Sequence, residues 1–125
     1  MRLQESGEMY LESILMLTKQ QGTVRSIDIS LHLGYSKPSV SRAVGNLKKG
    51  GYILVDDAGL ITLTDTGMEI AQKIFDRHML LRALLVRLGV DPQTAAEDAC
   101  KMEHAISDAS FEAIIAHIQI FGEKI

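Results

Sequence analysis

At 125 residues, with 46% apolar and 5% aromatic residues, the chain can hold one compact domain or two small interlocked ones, and it lacks the aromatics of a base-stacking single-strand binder. A net charge of −3 excludes a protein that coats nucleic acid by bulk charge, no run approaches the ~18 consecutive apolar residues of a membrane span, and one cysteine cannot close an internal disulfide. The charge is also divided: residues 1–55 carry seven Lys/Arg against four Asp/Glu, +3, and residues 56–125 carry six against twelve, −6. Such a split suggests one half that faces nucleic acid and one that does something else. The opening MRLQESGEMY has no signal-peptide hydrophobic segment, so the expected compartment is the cytoplasm.

The spacing predicts a first helix from about Ser6 to Gln20, with Ser6 as its cap and Leu11, Ile14 and Leu15 as its apolar stripe. Met9 and Glu12 share a face of it, and Glu12 is an unusual carboxylate beside that stripe. Ser26 is expected to cap a short second helix whose apolar content is Ile27, Ile29, Leu31 and Leu33. Gly34 and Tyr35 make a turn. Ser36 then caps a third helix with Pro38 in its first turn, where a missing N–H costs nothing. Val40, Val44 and Leu47 at i, i+4 and i+7 form its inner stripe, and Gly50–Gly51 stops it.

A helix, a tight turn and a second helix have the form of a helix-turn-helix. The outer face of the second carries Ser36, Lys37, Ser39, Ser41, Arg42, Asn46, Lys48 and Lys49. Between Lys19 and Lys49 there are six Lys/Arg, Arg25 among them, and one acid, Asp28. Arg can pair with guanine edges, Ser and Asn with bases, and Lys with phosphates. The bland alternative is a helical hairpin with a solvated basic face. The expected DNA-contacting residues are Arg25, Ser36, Lys37, Pro38, Ser39, Ser41, Arg42, Asn46 and Lys48.

Residues 52–55 and 60–63 read as two short strands joined by the turn Asp56-Asp57-Ala58-Gly59, a wing with no Lys or Arg at its tip. Thr64 or Asp65 starts the longest helix, which runs to about Leu88 with Ile70, Ile74, Leu81 and Leu85 in its stripe. His78 falls in the same stripe, and a half-buried, satisfied imidazole is the ordinary reading of such a residue. Asp91-Pro92 opens a fifth helix. Ser107 or Asp108 caps a sixth that is apolar on more than one side through Phe111, Ile114, Ile115, Ile118 and Ile120. A helix so apolar needs a partner, and a second copy of the chain is the natural one.

The fifth helix carries the most informative run, Cys100-Lys101-Met102-Glu103-His104. Positions i, i+3 and i+4 share a helix face, so Cys100, Glu103 and His104 project together. Thiolate, carboxylate and imidazole are three of the side-chain types that bind first-row transition metals. Against this, a lone cysteine is usually a small buried apolar residue. No Ser/His/Asp constellation, Gly-rich phosphate loop or paired-acid pattern stands out, so the chain reads as a non-enzyme with no small organic substrate.

Four stretches in order resemble the diphtheria toxin repressor family, the metal-dependent repressors that include the manganese transport regulators. They are Glu8-Met9-Tyr10-Leu11, Ser36-Lys37-Pro38-Ser39-Val40-Ser41, Leu63-Thr64-Asp65-Thr66-Gly67 and Ala99-Cys100-Lys101-Met102-Glu103-His104. The resemblance spans nearly the whole chain. It implies a mainly α fold: a winged helix-turn-helix over 1–63, then an all-helical dimerisation and metal-binding domain over 64–125, in the short form that lacks an SH3-like domain. It implies a repressor of iron or manganese uptake and homeostasis genes that binds a palindromic operator in double-stranded DNA as a homodimer when loaded with a divalent metal. The competing expectation is a winged-helix regulator that metal does not control.

By the same resemblance, Met9, Cys100, Glu103 and His104 match the activating site of the iron-responsive branch, Glu12 matches a ligand of the manganese branch, and His78 matches a ligand of both. Soft sulfur from Met9 and Cys100 favours Fe(II), with Mn(II) the alternative and Zn, Co or Ni able to occupy the site in vitro. Arg82 and Ala96 stand where the iron branch has a Glu and a His of an ancillary site, so that site is not expected here.

Overall fold

The computed structural model describes residues 5–120, with side chains for 6–118. The chain divides into two compact units, one ending at Ile74 and the other beginning at Phe75. The first unit contains α1 (Glu5–Gln21), α2 (Ser26–Leu33), α3 (Lys37–Lys49), β1 (Ile53–Val55), β2 (Ile61–Leu63) and the start of α4 (Asp65–Arg87). The second contains the rest of α4, α5 (Pro92–Ala105) and α6 (Asp108–Ile120).

The core of the first unit is built around α1. Tyr10, Leu11, Ile14, Leu15 and Leu17 are buried along it, together with Val24, Ile29, Ile53 and Ile61 from the other elements. From α3 come Val40, Val44 and Leu47, all buried as the spacing predicts. Each contributes roughly 1.5–3 kcal/mol by leaving water. The strands pair antiparallel with Ile53 opposite Leu63 and Val55 opposite Ile61. The Ile61 N–H donates to the Val24 carbonyl at 2.8 Å, which ties the wing to the connection between α1 and α2. At the wing tip the Asp56 carboxylate accepts from the N–H groups of Ala58 and Leu60.

The helix starts differ from expectation at two places. Ser6 lies inside α1, which already runs from Glu5. Ser26 is the first helical residue of α2 and not its cap: Arg25 takes the cap position, and its N–H donates to the Asp28 carboxylate at 2.8 Å. That reciprocal bond from the third helical residue draws the boundary one residue earlier. The apolar content of α2 is also not all internal. Ile29 is buried, but Ile27 and Leu31 are exposed, Leu31 by 77%. Residues two apart on a helix point nearly opposite ways, so Ile29 and Leu31 cannot both face the core.

Ser36 caps α3 as expected, its hydroxyl accepting from the Ser39 N–H. Gly34 closes α2 in the left-handed conformation, φ 72°, which only glycine adopts freely. In the second unit, Asp91 caps α5 by accepting from the Thr94 N–H at 3.1 Å, with Pro92 next. The Thr94 hydroxyl and N–H hold the Asp91 carboxyl below its ordinary range. The Ser107 hydroxyl accepts from the Ser110 N–H and starts α6. On α6, Phe111, Ile114, Ile115 and Ile118 are half-buried, and Ala113 and Ala116 are exposed. Ile120, counted with its apolar residues, lies outside the described side chains. Among the described residues no helix is long and apolar enough to cross a membrane.

Candidate metal centre and nucleic-acid interface

The exposed face of α3 collects the residues with nucleic-acid chemistry. Ser36, Lys37, Pro38, Ser39, Ser41, Arg42, Asn46 and Lys48 are all exposed, while Val40, Val44 and Leu47 anchor the opposite face. An open groove of about 310 Å³ runs between the starts of α2 and α3, lined by Ser26, Ile27, Lys37 and Ser41. Arg25 stands at one end of α2 with its Nε donating to the Ala58 carbonyl of the wing tip at 3.3 Å. A wing without its own Lys or Arg at the tip thus has an Arg held against it.

Of the candidate ligands on α1, Met9 is half-buried and Glu12 is buried. The Tyr35 hydroxyl donates to the Met9 sulfur at 3.4 Å. The Tyr35 ring lies 6.1 Å from the Tyr10 ring, and burial, then the neighbouring Tyr35, raises the Tyr10 pKa. Tyr35 immediately precedes the cap of α3, so one side chain links α1 to the start of α3. Nothing in its sequence context distinguished Tyr35 from an ordinary turn residue.

The second unit brings four candidate ligands together. Ligand atoms of Cys100, Glu103 and His104 lie within 4.8 Å of one another. The Glu103 side chain is 0% exposed and that of His104 1%. Glu103 Oε1 stands 3.5 Å from His104 Nε2 and 3.7 Å from His78 Nδ1. Thus His78, on α4, faces the same oxygen as the α5 residues. On α5 itself, Ala95 and Ala99 are fully buried, small side chains that let the helix backbone approach its surroundings closely.

The 3.5 and 3.7 Å separations about Glu103 Oε1 match the spacing of ligands around one ion. Donors bound to one ion at about 2.0–2.3 Å lie roughly 3–3.8 Å apart when adjacent around it. A carboxylate removed from water is strongly disfavoured unless positive charge or hydrogen bonds compensate. A thiol, a carboxylate and two imidazoles meet the donor requirements of a divalent transition ion. The residues present therefore fit such an ion. Arg82 and Ala96 are half-buried, a cation and a methyl group, and neither side chain can serve as a ligand.

The second unit also contains a residue that the sequence did not single out. The Arg77 side chain, 11% exposed, pairs through Nη1 with Asp108 Oδ1 at 2.9 Å. Its Nη2 donates to the Ile106 carbonyl at 3.4 Å, and its guanidinium carbon sits 4.5 Å from the centre of the Phe111 ring. Its position next to His78 was the only available signal.

A winged helix-turn-helix in one unit and a Cys/Glu/His/His cluster around a buried carboxylate in the other define a class: metal-dependent DNA-binding regulators. The chain belongs to the iron-dependent repressor family. Its residues 2–59 match that family's N-terminal DNA-binding domain, and residues 64–123 match its metal binding and dimerisation domain. It is 34% identical over 125 residues to an HTH-type transcriptional regulator of Methanocaldococcus jannaschii, across 98% of this chain and 100% of the relative. It is 34% identical over 113 residues to the transcriptional regulator MntR of Salmonella typhimurium, across 90% of this chain and 72% of that one. Among solved structures, a manganese-dependent transcriptional repressor in complex with manganese superposes with a TM-score of 0.81 at 30% identity, over 90% of this chain and 52% of that one. The manganese regulator SloR gives 0.78 at 25% identity, over 95% and 55%. The chain thus spans about half the length of these two solved structures. The protein is a metal-dependent transcriptional regulator of a repressor family, and not an enzyme.

Proposed function

We propose that this regulator binds a palindromic operator in double-stranded DNA as a homodimer when it carries a divalent transition metal, and so represses genes of iron or manganese uptake and homeostasis. The observation that carries the reading is the convergence of Cys100, Glu103 and His104 donors within 4.8 Å, with His78 facing the same carboxylate. On this reading residues 1–63 act as the DNA-binding domain and residues 64–125 as the dimerisation and metal-binding domain, in the cytoplasm.

His78, Cys100, Glu103 and His104 hold the ion, and by resemblance Met9 and Glu12 complete its ligand set. When bound, a divalent cation would supply charge that offsets repulsion between carboxylates and would favour one arrangement of its donors. The α1 ligands belong to the helix around which the reading unit is built. Met9 also shares a hydrogen bond with Tyr35, one residue before the α3 cap. Order at Met9 and Glu12 therefore reaches α3 through packing already present. On DNA, Arg42 reads a base edge, Ser36, Ser39, Ser41 and Asn46 hydrogen-bond, Pro38 makes apolar contact, and Arg25, Lys37 and Lys48 meet phosphates. Two such heads engage half-sites about 34 Å apart. Coupling of this kind is ordinarily about 1–3 kcal/mol, a 5- to 150-fold change in operator affinity.

Sulfur from Cys100 and Met9 supports Fe(II). The carboxylates of Glu12 and Glu103, and similar solved structures described as a manganese-dependent repressor and a manganese regulator, support Mn(II) as the second reading. Anaerobic titration of operator DNA with metal-free protein and with Fe(II), Mn(II) or Zn separates them. Tighter binding with metal is expected, with Fe(II) the strongest at physiological concentrations. Equal affinity with and without a chelator overturns the metal switch.

A further inference from the structure

We propose that Arg77 is a positioning residue for the metal cluster, fixing the end of α5 against α4 so that His78, Glu103 and His104 face one another. The inference rests on the reading above that those residues hold the ion.

Arg77 and His78 are consecutive on α4. The guanidinium of Arg77 contacts Ile106, Asp108 and Phe111, in the stretch immediately after the proposed ligands of α5. Its Nη2 holds the Ile106 carbonyl, and the Ile106 N–H in turn closes α5 onto the Met102 carbonyl. Ile106 is two residues beyond His104 and three beyond Glu103. Nη1 holds Asp108, the first residue of α6, and the guanidinium plane covers Phe111 one turn on. One planar group thus gathers the α5 end, the intervening link and the first turn of α6 onto the residue beside His78.

This is more than a surface ion pair. Asp108 is 69% exposed, and a pair of that kind alone contributes little. The guanidinium is nearly buried, and its Nε is buried without a hydrogen bond among the described residues. Burying an unsatisfied donor is unfavourable. The position is held because the fork and the ring contact act together, a geometry that lysine cannot reproduce. Ligand-orienting groups of this kind ordinarily change metal affinity by about 10- to 100-fold when removed.

The test uses the full chain, reduced and anaerobic, titrated with Co(II) against a competing chelator. Three readouts are followed: the Co(II) d–d bands, the thiolate-to-cobalt charge-transfer band, and thermal melting of metal-free protein. Arg77→Ala is expected to weaken Co(II) binding roughly 10- to 100-fold and to shift the d–d bands. Arg77→Lys keeps the charge beside Asp108 but not the fork, and should fall between. Asp108→Asn should have a few-fold effect in the same direction. A lower melting temperature with wild-type affinity and bands in Arg77→Ala overturns the proposal, because a purely structural role predicts that pattern. Should Arg77→Ala not fold, wild-type affinity and bands in both Arg77→Lys and Asp108→Asn overturn it equally. Cys100→Ala and His104→Ala serve as controls. Loss of affinity in these two with none in the Arg77 variants rejects the positioning role alone, whereas no loss in any variant rejects the metal site itself and the positioning role with it.

Discussion

The two units put their chemistry in opposite places. In the first, the polar and basic side chains of α3 stand in water, and the apolar side chains of the same helix hold it in place. In the second, the candidate ligand groups are themselves interior: the Glu103 side chain is fully buried and that of His104 nearly so. The difference teaches which properties can be altered separately. A reading face laid over an independent core can lose a contact without loss of fold. A cluster built into the interior cannot change its chemistry without changing what the surrounding helices pack against.

The sharpest way to probe the comparison is at Glu103. Glu103→Gln keeps the shape and removes the charge, and metal affinity should fall roughly 100-fold or more, beyond the loss usual for supporting residues. Added metal raises the melting temperature of the native protein by mass action, and that increment should vanish in the variant. A preserved increment would mean that Glu103 is not a ligand. On the reading face, Arg42→Ala should cost about 1–3 kcal/mol of operator binding with no change in melting temperature. A drop in melting temperature would break the separation drawn above.

Ser36 is where the comparison should blur, because this exposed residue also caps α3. Ser36→Ala should cost about 1 kcal/mol of stability as well as operator affinity, measurable by denaturant unfolding. The smallest effect is expected at Asp91. Its folded carboxyl titrates below its unfolded value, so its contribution is fully present above the unfolded pKa and is lost as pH falls through the lowered one. Asp91→Asn resembles the protonated form, so the difference in melting temperature from the native protein should be largest near neutrality. It should close as the solution is acidified below roughly pH 4. A pH-independent difference would remove the charge from the cap's contribution.

Much of this was legible in the residues. The inner stripe of α3, the Ser36 and Asp91 caps and the wing followed from spacing and turn chemistry, because each depends on neighbours in sequence. The Cys100, Glu103 and His104 face followed from helical periodicity alone. His78 did not: its place beside Glu103 depends on how α4 and α5 pack, and only resemblance pointed there. Ser26 was misplaced because a carboxylate three residues after Arg25 competes to set the helix start. Which of the apolar residues of α2 face inward did not follow from spacing, because alternate apolar residues fit a strand and cannot share one helix face. Arg77 and Tyr35 were invisible for one shared reason. Their roles consist of contacts 25 to 34 residues away in sequence, which local pattern cannot encode.

The junction of hairpin and long helix carries a mechanical consequence. The Thr64 N–H and hydroxyl donate to the Tyr52 and Gly51 carbonyls, and the same hydroxyl accepts from the Gly67 N–H. Gly67 presses so closely on Tyr52 that even a methyl group there would overlap the Tyr52 carbonyl oxygen. A side chain at Gly67 therefore cannot be accommodated without separating the hairpin root from the start of α4.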